Sequence, residues 1–314
     1  FKQKTAYEIP KRDWSSDVCS SDLQYRLVGA VARGDHDYVK RLLAGSGLRT
    51  DLTRHLFQGD AQSAALALCT AASRGDETMV LELLHYGASA SRQDTTQRTP
   101  LMYACANNHT KVVERLLSAD LMGNIVKSRR RDAAGFSALG VAAWSGSPAV
   151  FDLLLKRALS DGVSIDDIAT DPQGNWSLIE LLISRGDPAM LALLLNAGLS
   201  PDFQPPGRPP ILLMCAHFGR NDCLRLLLES GANIDLQDGN GRSALSVAVR
   251  AGQTDIVKAL LRAGARQLPE STGQTPLAIA RGLQQQAGAQ PSPYREISEL
   301  LLSRSASGPA VDKR

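Results

Sequence analysis

The chain has 314 residues, 43% of them apolar, and its 35 Lys and Arg against 32 Asp and Glu leave a net charge of only +3. That charge is too small to argue for nucleic acid by itself, and no run of about 18 apolar residues exists to form a transmembrane helix. Aromatics stand at 5% while Leu and Ala abound, which suits thin stacked helices better than one globule with a large centre.

In chain order, Phe1–Leu23 is unlike everything after it. The stretch RDWSSDVCSSDL, Arg12 to Leu23, resembles a translated sequencing-adapter fragment of the kind found at gene ends in draft genomes. Residues 1–23 are therefore set aside as artefactual or disordered. A bacterial source is the expectation, and any signal peptide is unreadable. A single domain over residues 24–303 follows, then a flexible tail over 304–314.

Within that domain the apolar spacing predicts paired helices. Tyr25–Gly47 is the first pair, with Tyr38, Val39, Leu42 and Leu43 on its second helix. Arg49–Gln62 is an irregular link with a helical turn around Leu52–Phe57. Ala64–Ala88 and Thr99–Leu117 are pairs. Ser118–Gly135 is a long loop holding Lys127, Arg129, Arg130 and Arg131. It reads first as solvated surface and second as a contact for an acidic partner or a phosphate backbone. Ser137–Arg157 is a pair. Ala158–Gly174 is a long connection whose Asp161, Asp166, Asp167 and Asp171 offset the arginines. Trp176–Ala197, Pro210–Ala232 and Arg242–Ala265 follow, with the proline-rich SPDFQPPGRPP as a stiff finger. The last unit starts at Thr275 and carries the loop GLQQQAGAQPSP before Tyr294–Leu302.

One unit shows the rule. In Arg242–Ala265, Ser243 is placed to cap a first helix. Leu245, Ala248 and Val249 share one face at i, i+3 and i+4, and Gly252 ends the helix. Ile256, Val257, Leu260 and Leu261 form the inner face of the second helix, which Gly264 stops. In sister copies the first helix starts with Thr99-Pro100 or Thr275-Pro276 and the second with Ser147-Pro148 or Asp187-Pro188, each a cap before a proline at the first helical position. The first-helix leucine position is filled by Leu27, Leu68, Leu101, Leu139, Ile179, Leu212, Leu245 and Leu277. Leu68 to Leu101 is 33 residues, as is Leu212 to Leu245.

A period near 33 with TPLMYACANN at Thr99, SALSVAVRAG at Ser243, TPLAIA at Thr275, and the endings LLESGANID at Leu227 and LLRAGA at Leu260 resembles the ankyrin repeat. The resemblance implies an all-α solenoid of about seven to eight helix-turn-helix units with hairpin-like finger loops. It further implies a protein-binding concave side made of finger tips and the ends of first helices. Carried over by position, the helix ends offer Arg74, Asn107, Trp144, Arg185, Phe218 and Arg250. The fingers offer Thr96, Arg98, Phe136, Trp176, Phe203, Asn240 and Arg242. The aromatics Phe136, Trp144, Trp176 and Phe218 are either interface anchors or rings tilted inward by irregular middle repeats. The chain departs from the family pattern in having Met102, Gly140, Leu213, Ser246 and Ala278 where a histidine is usual, and Leu182 and Ile183 where small residues are expected.

No catalytic constellation accompanies these units. His36, His55, His85, His109 and His217 are scattered without a metal-ligand spacing, and His109 falls in an inter-helix turn, where packing is its expected role. Glycines follow the repeat, not a phosphate loop. Cys69, Cys105, Cys215 and Cys223 read as buried small hydrophobes. The expectation is a non-catalytic, monomeric, cytoplasmic scaffold that binds another protein and needs no cofactor, with a periplasmic or secreted location as the alternative. Inhibition of a toxin or enzyme, or nucleic-acid or phosphoinositide binding through Lys127–Arg131, are the alternatives.

Overall fold

The computed structural model describes residues 20–44, 61–119, 130–170, 177–287 and 292–306. Among them the regular structure is helical, apart from one isolated bridge between Gln237 and Ser243. The chain divides into two units, Phe1–Leu121 and Met122–Arg314, and each is a row of helical hairpins.

The first unit holds α1 (Ser20–Arg33), α2 (His36–Ala44), α3 (Ala61–Arg74), α4 (Glu77–His85), α5 (Pro100–Ala106) and α6 (Thr110–Ala119). First helices pack on first helices, α1 on α3 and α3 on α5, while α4 packs on α6. Leu27, Leu68 and Leu101 are buried, as are Ala30, Ala71 and Ala104 three residues on. The alanines let helix axes come close, and the leucines fill the seam between the layers.

The second unit holds α7 (Ala138–Ser145), α8 (Pro148–Ser160), α9 (Ile165–Thr170), α10 (Leu178–Arg185), α11 (Pro188–Asn196), α12 (Ile211–Phe218), α13 (Asn221–Glu229), α14 (Ala244–Arg250), α15 (Thr254–Arg262), α16 (Pro276–Ala287) and α17 (Pro293–Ala306). The inner layer runs α7, α10, α12, α14, α16 and the outer layer α8, α11, α13, α15, α17. Leu182 and Ile183 of α10 are fully buried. The neighbouring helices α7 and α12 carry Ala142 and Cys215 at the small position, so one bulky layer alternates with two thin ones.

The capping residues act as the sequence requires. Thr99, Ser137, Ser147 and Ser243 each accept a backbone N–H three residues on, and Asp187 accepts from Ala189 and Met190. Thr275 does the same for Ala278. Each such cap contributes about 1 kcal/mol.

Three boundaries differ from expectation. Helix α1 begins at Ser20, inside the segment set aside as structureless, and α17 runs on to Ala306. The connection read over Ala158–Gly174 contains helix α9: the Ser164 hydroxyl accepts from Asp167 N, and Ile168 and Ala169 are buried against α10. Asp166 and Asp167 fall in its first turn, where carboxylates favour the positive end of the helix dipole. The helical turn expected at Leu52–Phe57 and the basic residues Lys127 and Arg129 lie outside the described residues.

Candidate interaction surface

The finger turns are built around carboxylates. In the turn Asp94–Arg98, Asp94 N donates to Arg98 O and Gln97 N to Asp94 O. The same reciprocal pair closes Asp132–Phe136, Asp238–Arg242 and Glu270–Gln274. The Asp94 Oδ1 atom accepts from Thr96 N, Thr96 Oγ1 and Arg98 N, and Oδ2 accepts from the Tyr103 hydroxyl at 2.7 Å. Asp132 and Asp238 accept two backbone N–H groups each. Burial pushes the Asp94 carboxyl up, but the Tyr103 and Thr96 hydroxyls and the two backbone donors outweigh it, so its pKa lies below the ordinary value. Asp238 behaves alike, with Arg242 as the strongest opposing partner. Glu270 is held down first by Arg250, whose Nη2 lies 2.6 Å away. These acids are the structural residues that sequence reading missed. Their signal was present, as an acid followed three residues later by Gln or Gly and two further on by Ser or Thr: Asp94-Gln97-Thr99, Asp132-Gly135-Ser137, Asp238-Gly241-Ser243 and Glu270-Gly273-Thr275.

Successive turns are stitched by side chains that reach back one hairpin. Arg74 donates to Ala32 O, and His109 Nε2 lies 3.0 Å from Ser73 O. In the second unit Arg220 donates to Ser184 O, and the Tyr294 hydroxyl donates to Arg250 O. At the position following the first-helix turn, Asp35, Asp76, Ser147 and Asp187 cap their own helices instead. His109 thus has the turn-packing role expected of it.

The candidate contact residues divide by what they already touch. Arg74 and Asn107 are exposed but tied to neighbouring oxygens, Asn107 through Ser73 Oγ and Tyr103 O. Arg98 stacks over the Tyr103 ring at 5.8 Å, and Thr96 bonds Asp94. Arg242 pairs with Asp238 at 2.7 Å and Arg250 with Glu270. Asn240 is exposed at a finger tip, and Phe203 is half-buried. Trp176 lies outside the described residues. Trp144 is 59% exposed and Phe218 42%, so neither ring is turned into the core. Phe136, half-buried, packs on Trp144 with ring centroids 5.9 Å apart, and the Arg185 guanidinium covers the Trp144 ring at 5.7 Å. The helix-end residues also occupy two registers. Arg74, Asn107, Arg185 and Phe218 stand one residue before the left-handed residue that ends the helix, and Trp144 and Arg250 two before.

Cys69, Cys105, Cys215 and Cys223 are free and buried. Burial raises all four thiols, Cys223 to about 11, which leaves them poor nucleophiles at neutral pH. Among the described residues no group of three His, Cys, Asp or Glu is placed to hold a metal ion, and no helix is long and apolar enough to cross a membrane.

Hairpins packed first helix on first helix, with acid-built reverse turns between them, define a tandem helical-repeat protein. The chain belongs to the ankyrin-repeat family: the family described as "Ankyrin repeats (3 copies)" matches residues 27–125, 68–169, 168–271 and 211–307. The human ASB11 ankyrin repeat domain is similar in fold, at a TM-score of 0.58 and 23% identity, covering 76% of this chain and 96% of that one. So is the ankyrin repeat domain of Bcl-3, a member of the IkappaB family, at 0.60 and 24%, covering 75% and 97%. A Hydra vulgaris protein, tyrosine-protein kinase HTK16, is 29% identical over 164 residues, which is 50% of this chain but 20% of the kinase. The chain thus spans about a fifth of that relative's length. Ankyrin repeats are typically protein-protein interaction modules without catalysis.

Proposed function

We propose that this chain is a scaffold that binds a partner protein through its finger turns and first-helix ends and performs no catalysis of its own. The paired helices from α1–α2 to α16–α17, with α9 as an insertion, read as eight repeats. The observation that carries the proposal is Trp144. A tryptophan this exposed, packed on one side by Phe136 and covered by Arg185, is costly to leave bare and has the form of an interface anchor. The four free thiols favour a reducing compartment such as the cytoplasm.

The test is capture of partners from a lysate of the source organism on immobilised wild-type chain and on Trp144→Ala, with melting temperatures measured in parallel. Loss of a specific partner at unchanged melting temperature supports the surface. Retention of every partner by the variant, or a large drop in its stability, refutes it.

A further inference from the structure

Carboxylates are unequally divided between the two helix layers of the second unit. The inner helices α7, α10, α12, α14 and α16 carry Arg185, Arg250 and Arg281 and a single acid, Glu180. The outer helices carry Asp152, Asp222, Glu229, Asp255, Glu296 and Glu299 among their cations. The few carboxylates on the inner side are already engaged. Glu180 is bridged by Arg208 at 3.2 Å, Glu270 by Arg250, and Asp132 and Asp238 accept the N–H groups of their own turns. Arg185 is different. It is exposed, it lies over Trp144, and it has no carboxylate partner among the described residues.

Resting on the reading of this face as a protein-binding surface, we infer that its occupant is an acidic segment carrying a large apolar side chain, with that side chain seated on Trp144 and a neighbouring carboxylate on Arg185. A guanidinium held over an indole at 5.7 Å still has N–H groups that a carboxylate can engage bidentately. That contact also restrains the arginine before binding, so less rotamer entropy is lost when the acid arrives. Because no acid among the described residues pairs with it, the positive potential is open to a partner's negative charge. A basic segment would meet Arg185 with like charge. The exposed Trp144 ring also distinguishes this site from a purely cationic track for a phosphate backbone, which needs several cations in a row.

The test selects a random peptide display library against the full chain, then measures the enriched peptides by fluorescence anisotropy across a salt series. Enrichment of Asp and Glu around an aromatic or aliphatic residue is expected. So are affinities that weaken as salt rises and fall about tenfold or more in both Arg185→Glu and Trp144→Ala, with melting temperatures held. Enrichment of neutral or basic peptides, or of none, overturns the inference. So does tighter binding of a single-stranded oligonucleotide than of any peptide. If a captured protein partner is lost with Trp144→Ala yet kept with Arg185→Glu, the acidic occupant is refuted while the protein-binding surface stands. If both variants keep it, both readings fall.

Discussion

The imidazole of His109 lies across Gly75, with its Nε2 atom 3.0 Å from the carbonyl oxygen of Ser73, so one hairpin's turn is covered by a side chain of the next. Gly75 has φ +75°, and a Cβ there would stand 2.5 Å from the ring. Gly75→Ala should therefore cost on the order of 2–3 kcal/mol, the left-handed conformation accounting for about half. His109→Ala should cost about 1 kcal/mol for the lost bond. The two together should cost less than their sum, because removing the ring removes the clash. Denaturant melts of the four proteins in a double-mutant cycle check this; simple additivity would show that the ring is not what glycine accommodates.

Asp94 gathers four donors in one turn, so Asp94→Ala should lose about 2–3 kcal/mol and Tyr103→Phe about 1 kcal/mol. The pH sign follows from the lowered carboxyl. A folded-state pKa below the unfolded one contributes stability that is present above the unfolded value and is lost as pH falls through the folded one. Wild type should weaken below about pH 4, the ordinary Asp range, and Asp94→Asn should flatten part of that acid loss. Urea titrations at stepped pH give both slopes.

Glu270 and Arg250 are joined by two N–H···O contacts, with the acid buried and the arginine 41% exposed. Solvent on the arginine side screens the pair, so Glu270→Gln should cost roughly 1 kcal/mol. Glu270→Gln should also leave the guanidinium's charge uncompensated on the inner face. If acidic segments dock there, this variant should bind the selected peptides tighter than wild type, as anisotropy would register.

The buried thiols should be silent. With Cys19 replaced by serine, the native chain should take up no iodoacetamide at neutral pH over a time in which the urea-unfolded chain is labelled at Cys69, Cys105, Cys215 and Cys223. Intact-mass measurement counts the adducts.

Trp144→Ala should change stability by less than about 0.5 kcal/mol, since the ring is largely in water. Leu101→Ala, at the fully buried counterpart of the repeat, should cost about 2–5 kcal/mol. Thermal melts of the pair separate surface from core on one scale.

The hairpins, their caps and their leucine seam were legible in the sequence because period, cap and proline all point to the same place, as at Ser147-Pro148 and Asp187-Pro188. Helix α9 was not, because six residues with two aspartates carry too little apolar pattern to stand out from a loop. The candidate surface was legible as a set of positions only. Trp144 and Phe218 do face solvent, but the stacking of Arg185 on Trp144 joins residues 41 apart in the chain, a pairing that no local spacing encodes. Nor did the sequence show that Arg242 and Arg250 spend their charge on Asp238 and Glu270. The first closes within a single finger turn, and the second depends on how closely the following finger folds over α14.

Arginine, histidine and tyrosine each perform the same backward reach at different junctions, so the seams between hairpins are chemically unequal although the hairpins look alike. Pulled from its two ends, each row should yield seam by seam in an order written by these side chains, so that its resistance to force is graded along its length.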